Sequence, residues 1–305
     1  MRLEASRLTK CSVCGEAFAR GDYSSLASHL YEFSERSDVE HVMWLNKNIT
    51  KKKTKAAELS QLMGEYFDTH DDLKGWIKKR FIERFYGPNP HPFVLALQHP
   101  SRATLLGYVV EHQHFLRQWT RSCAYIIAKT DKVDVTLYEL DNINTEFGGS
   151  GVGKPSHYEL LLRMGESLGL PREKALATPP LPDTASAINT WNSIAEKDHW
   201  LETMVAMHGL ELIADRNLTN EGASVHYFDP EVLKGKDVTE GTKNFLREGY
   251  EADVKHSEEA LKLVDKYSAE LGITENVQAT FLKSIHAFDY YLMARLERGK
   301  QFEGS

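Results

Sequence analysis

The chain has 305 residues, 41% of them hydrophobic and 27% charged, with a formal net charge of -7 and a pI near 6.0. That length buries a full core and suits one large unit beside a small one. The acidic balance argues against general affinity for a nucleic-acid backbone, and no run of about 18 uncharged apolar residues suggests a membrane span.

The opening MRLEASRLTKCSVCGE lacks the apolar run of a signal peptide, so a cytoplasmic location is expected. Cys11 and Cys14 form a Cys-x2-Cys pair, which suits a reducing compartment and metal binding better than a disulfide framework. Cys123, left over inside a helical pattern, reads as a small buried residue.

Residues 8–50 read as a compact unit and 1–50 as the first domain. CSVCGEAF is a knuckle in which Gly15 permits the tight turn. The stretch SSLASHLYEFSE then brings His29 round, and SDVEHVMWL supplies His41. Cys11, Cys14, His29 and His41 resemble a C2H2 zinc finger with a widened second half, which implies a structural zinc ion and a closed site. The alternative is that the histidines are surface residues. A single unit with wide histidine spacing argues against base readout. The basic run at Lys51, Lys52, Lys53 and Lys55 reads as a solvated start to a helical linker over 51–85.

From Ala56 the pattern is helical, broken at Gly87-Pro88-Asn89-Pro90. A short helix opens at His91-Pro92 and a long one follows, with Glu111 and His114 three apart on one face. Between Leu137 and Leu170, Glu146 precedes Phe147-Gly148, and His157 precedes Leu160-Leu161; Glu139 lies two turns before Glu146. The glycine-rich GGSGVG lacks a following Lys-Ser/Thr and reads as an enlarged loop. A proline-rich loop ends at a cap at Asp183 or Thr184, and the next helix, running to about Arg216, carries His208 and Glu211. On a helix over Asn244–Lys266, Asp253 and His256 project side by side, with Gly249 one turn before. A closing helix ends at Gly299; His286, Tyr290 and Tyr291 on it read as core. At least seven helices and no convincing strand after residue 86 make the fold class all-α.

The run Ala252-Asp253-x-x-His256-Ser257-Glu258-Glu259-Ala260, with Phe245 upstream and Glu146-Phe147-Gly148…His157-x-x-Leu160, resembles the haem-oxygenase-like diiron oxidases, including CADD- and PqqC-like proteins. The resemblance covers about 86–295. It implies a haem-oxygenase-like bundle of about seven helices over 86–305, with two irons held by Glu111, Glu146, His157, Glu211, Asp253 and His256. If the register differs, Glu139 replaces Glu146. Gly249 stands where the family carries a histidine, and three readings stay open. The second iron is labile, or His208, His114 or a substrate atom fills the gap, or the site holds one metal or none. Tyr158 and Tyr250, beside ligands in sequence, are candidate redox-active donors. The implied activity is O2-dependent oxidation of a small molecule: an amino acid, an amine or a fatty acid, or a CADD-like supply of 4-aminobenzoate. A homodimer is compatible with this. The contrasting reading is a non-catalytic zinc-finger adaptor that binds protein or nucleic acid.

Overall fold

The structure, a computed structural model, describes residues 8–69, 72–149 and 154–303, except for the side chains of residues 8 and 250–256. Strands β1 (Leu8–Lys10) and β2 (Ala17–Ala19) pair antiparallel with Thr9 opposite Phe18. Helices α1 (Tyr23–Glu35) and α2 (Val39–Asn48) follow, each started by an aspartate, Asp22 or Asp38, that accepts a backbone N–H in the first turn. Helix α3 (Ala56–Phe67) packs on α1, where Phe67 stacks on Tyr23 with ring centroids 5.5 Å apart. The expected linker is thus divided, because α4 (Leu73–Phe85) turns away to pack on the C-terminal helices.

The larger body comprises α4, α5 (Pro92–Gln98), α6 (Arg102–Lys129), α7 (Val133–Ile143), α8 (His157–Ser167), α9 (Arg172–Ala177), α10 (Pro182–Lys197), α11 (Trp200–His208), α12 (Glu240–Leu271) and α13 (Thr274–Lys300). These are ten α-helices among the described residues where about seven were expected, because prolines and caps divide the pattern. Helix α10 starts at Pro182, two residues before Thr184, since a fixed φ suits the first helical position. The helix expected to run to Arg216 stops at Lys197. His199 then opens α11, accepting from Leu201 N, while the Glu202 side chain accepts from His199 N. Beyond α11 the chain tightens into 3-10 turns over Gly209–Ala214 and Arg216–Glu221.

Helices α6 and α13 cross at the centre of the body. A Cβ on Gly107 would meet the Arg295 carbonyl oxygen at 2.2 Å and the Gly299 nitrogen at 2.5 Å, so only glycine lets the two backbones approach this closely. The N-terminal region docks on the same α13. Thr9 Oγ1 and Gly21 N–H both donate to Glu275, at 2.5 and 2.9 Å. Asp289 joins Lys47 of α2 (2.6 Å), Arg84 of α4 (3.1 Å) and His91 at the head of α5 (3.1 Å). No helix among the described residues is long and apolar enough to cross a membrane.

Candidate active site

The N-terminal cluster forms from local turn chemistry. Gly15 takes φ +78°, and its N–H donates to the Cys11 carbonyl at 2.9 Å, which folds the two thiols together. His29 comes from α1 and His41 from α2, and the ligand atoms of Cys11, Cys14, His29 and His41 all lie within 4.8 Å of one another. Each imidazole is oriented from behind. Glu16 lies 2.9 Å from His29 Nδ1, which leaves Nε2 facing Cys14 Sγ at 3.4 Å. Asp38 lies 2.7 Å from His41 Nδ1, and His41 Nε2 is buried without a partner among the described residues. Carboxylates on the outer nitrogens, converging inner nitrogens and two thiols are the donor set of a structural zinc site. Burial, aided by Cys14, pushes the Cys11 thiol up to about 12, so a metal ion is what would hold it as thiolate.

The second site is a pocket of about 100 Å³ in the larger body. Helix α6 gives it Tyr108, His112, Phe115 and Trp119, a stripe at four-, three- and four-residue steps. Helix α12 contributes Phe245, Leu246 and Gly249, and α13 gives Phe288 and Arg295. Glu146 enters from a single π turn, Asn144–Gly148, and His157 from the first position of α8, which Ser156 caps. The two meet with Nδ1 2.9 Å from Glu146 Oε1. Glu211, on the 3-10 turn after α11, lines the same pocket.

Behind this wall Glu139 and His208 are fully buried and continue the polar chain from Glu211. His208 Nε2 is 2.9 Å from Glu139 Oε1 and its Nδ1 is 3.1 Å from Glu211 Oε1. Burial alone would depress the imidazole, but the two carboxylates outweigh it and raise its pKa to about 10. Cys123, with Glu139 and His208, forms a second group of possible ligand atoms within 4.8 Å. Burial first, and then Glu139, push this thiol well above its usual range. A thiol so shifted stays protonated beside Glu139.

Among the described residues, Glu139 Oε2, Glu146 Oε2 and Glu211 Oε2 are buried without a hydrogen-bond partner. These three carboxylates outnumber the one His208 imidazolium set between them, their open oxygens are costly to bury without further positive charge, and carboxylate and imidazole together suit a first-row metal such as iron. The donor set therefore fits the ion that the sequence resemblance implies.

The structure brings Glu146, His157, His208 and Glu211 together and leaves other expected residues elsewhere. Glu111 does not reach the pocket. Its Oε1 accepts from Arg298 Nε at 2.6 Å and its Oε2 from Leu181 N–H at 3.1 Å. One residue step on α6 is about 100°, so the position that faces the pocket is its neighbour His112. His114 points the same way as Glu111, with Nε2 3.0 Å from the Thr178 carbonyl. Tyr158 lies outside the pocket lining, stacked on Phe147 and accepting from Arg117 at 2.9 and 3.1 Å. Asp253, His256 and Tyr250 fall outside the described side chains. Sequence reasoning also missed Arg295, Tyr227 and His112. Only His112 carried a signal, as the residue in register with Phe115 and Trp119.

Residues 76–298 match the model of the TENA/THI-4/PQQC family, and residues 10–68 match that of a C2H2 type zinc finger in one copy. Among curated proteins none matches the chain. A TenA homologue from Pyrococcus horikoshii OT3 superposes with a TM-score of 0.54 at 16% identity, over 75% of this chain and 96% of its own. A domain of unknown function with a haem-oxygenase-like fold from Shewanella denitrificans OS217 gives 0.55 at 16%, over 83% and 97%. A TenA homologue from Pyrococcus furiosus gives 0.51 at 15%, over 73% and 94%. The larger body thus has an all-α, haem-oxygenase-like fold preceded by a zinc-finger region, and the chain belongs to the TENA/THI-4/PQQC family.

Proposed function

We propose that the chain is an O2-activating non-haem iron oxidase or oxygenase acting on a small molecule. The observation that carries this reading is the set of buried carboxylate oxygens that lack partners among the described residues, on Glu146 and Glu211 at a pocket walled in part by aromatic rings and on Glu139 behind it. Glu146, His157 and Glu211 are the proposed iron ligands of the described part. Asp253 and His256, four and seven residues after Gly249 on α12, complete the proposed set. Iron bound there would supply the redox chemistry of dioxygen.

The protein's own residues have separable tasks. His208, held between Glu139 and Glu211, orients the Glu211 carboxylate. Glu146 does the same for His157. The rings of Phe115, Trp119, Phe245 and Phe288 exclude water, which strengthens electrostatic interactions inside the pocket. A hydrolase working through a covalent intermediate would want a nucleophile. Among the described lining residues there is no serine, threonine or cysteine, which counts against that chemistry.

The test is anaerobic titration with ferrous iron followed by exposure to oxygen, with metal content and the optical spectrum recorded. Zinc together with stoichiometric iron, and a visible band that develops with oxygen, is the expected result. Zinc with no iron uptake would overturn the reading and favour a non-catalytic adaptor.

A further inference from the structure

Among the described residues Lys78, Arg84, Arg295 and Arg298 have buried cationic side chains, and His208, charged between Glu139 and Glu211, is a further buried cation; Arg84 pairs with Asp289. Lys78 pairs with Glu221 and Glu258, and Arg298 with Glu111. Arg295 lines the pocket yet meets no carboxylate among the described residues. Its hydrogen bonds go instead to neutral acceptors, from NH1 to Tyr227 Oη at 3.0 Å and from NH2 to Tyr291 Oη at 2.6 Å and to His112 Nδ1 at 2.9 Å. The guanidinium also lies over the rings of Tyr108 and Phe93, at 4.2 and 5.0 Å.

Guanidinium stays charged in proteins. No described carboxylate reaches it, and Glu146 and Glu211, which line the same pocket, make no ion pair with it. Burial, reinforced by Arg295 itself, holds His112 well below its usual range, so its Nδ1 is an acceptor without charge. Burial likewise raises Tyr108, so that phenol stays neutral. Ring faces and phenol oxygens recover part of the desolvation cost of a buried cation but leave it without an ion pair. Nε is buried with no partner, and Tyr108, which accepts from Tyr227 at 3.1 Å, keeps its own O–H to donate. Two open donors therefore stand beside a positive charge with no direct ion pair, at a pocket that also carries the apolar rings of Phe115, Phe245 and Phe288 and, as the proposed metal side, Glu146, His157 and Glu211.

We infer that Arg295, with Tyr108, is the anchor for the carboxylate of the pocket's ligand, and that this ligand is a small monocarboxylic acid with an apolar body. One cation without an ion pair matches a monoanion better than a phosphate dianion, and an apolar body suits the ring wall. The inference names the substrate class of the pocket proposed above and rests on that reading for the word substrate. Binding itself needs no iron.

The experiment is isothermal calorimetry on the full chain without added iron, using butyrate, hexanoate and decanoate, each against its primary amide. At least one acid is expected to bind about tenfold or more tighter than its amide. Arg295→Gln should erase that preference and Arg295→Lys should keep part of it, with circular dichroism checking that both variants fold. Equal affinity for acid and amide in the unsubstituted protein overturns the inference, as does failure of every acid to bind or a preference that survives Arg295→Gln. Iron uptake is measured separately on the same samples. Loss of iron binding with the acid preference intact sinks the oxidase alone, and iron uptake without an acid preference sinks the anchor alone.

Discussion

Arg298 and Glu111 form a closed ion pair whose carboxylate also takes the Leu181 N–H, so their work is to hold the proline-rich segment before α10 against α6 and α13. Arg298→Gln leaves a fully buried carboxylate without its cation and is expected to cost about 3 kcal/mol in denaturant unfolding. Glu111→Gln should lower stability too, yet leave iron uptake unchanged; loss of iron in that variant would return Glu111 to the ligand set. Glu211→Gln is expected to behave in the opposite way, cutting iron content sharply with a smaller effect on unfolding, as measured by metal analysis beside a urea titration. The difference between these two glutamates could not be read from residue type. Both sit near histidines in helical patterns, and only packing against α13 shows that Glu111 is closed on both oxygens, by a guanidinium and a backbone N–H, whereas Glu211 keeps one oxygen open.

The crossing of α6 on α13 depends on Gly107, because a methyl group there would collide with backbone rather than with a yielding side chain. Gly107→Ala is expected to destabilise the protein by about 2 kcal/mol and, by moving the turn that carries Arg295, to weaken acid binding in the same calorimetric assay. Asp289 does comparable work between α2, α4 and α5. Burial would raise its pKa, but His91, Lys47 and Arg84 outweigh that and hold it well below the usual carboxylate range. A depressed folded pKa means that its contribution is complete above the ordinary aspartate value of about 3.9 and is lost as pH falls from there toward the folded value. Unfolding measured between pH 7 and acid should therefore show a loss of stability below about pH 4 that Asp289→Asn lacks, that variant being less stable at neutral pH already. Helix periodicity made α6, α12 and α13 legible as elements. Their partners were not, since the charges that join them come from positions as far apart as Arg20 and Glu275 or Lys47 and Asp289.

Across the whole molecule, the zinc-finger region is a structural part of the helical body and not a tethered appendage. Lys10 reaches Asp198 and Glu202, Glu275 accepts from Thr9 and Gly21, and Lys47 pairs with Asp289. Removing zinc with a strong chelator, or substituting Cys11→Ser, should loosen residues 8–50 and lower the melting temperature of the larger body as well, by about 5 °C or more. Calorimetric scans would show it, and a separate early transition with an unchanged main one would mean that the two regions are uncoupled.

The Cys-x2-Cys pair with His29 and His41 and most long helices were legible in the sequence, because turns and 3.6-residue periodicity are local properties of the chain; the cap expected at Asp183 or Thr184 was not, since Leu181 precedes the helix and Pro182 starts it. So was the Glu146–His157 pair, eleven residues apart across one loop. What tertiary structure alone decided was direction and pairing. A single step of about 100° on α6 exchanged Glu111 for His112 at the pocket. Glu139, offered by the sequence only as a replacement for Glu146, took its place behind His208 instead. Arg295 gained its meaning from the absence of a described acid beside it. Such features are differences between what surrounds one side chain and what surrounds another, and they exist only once distant segments have been packed together.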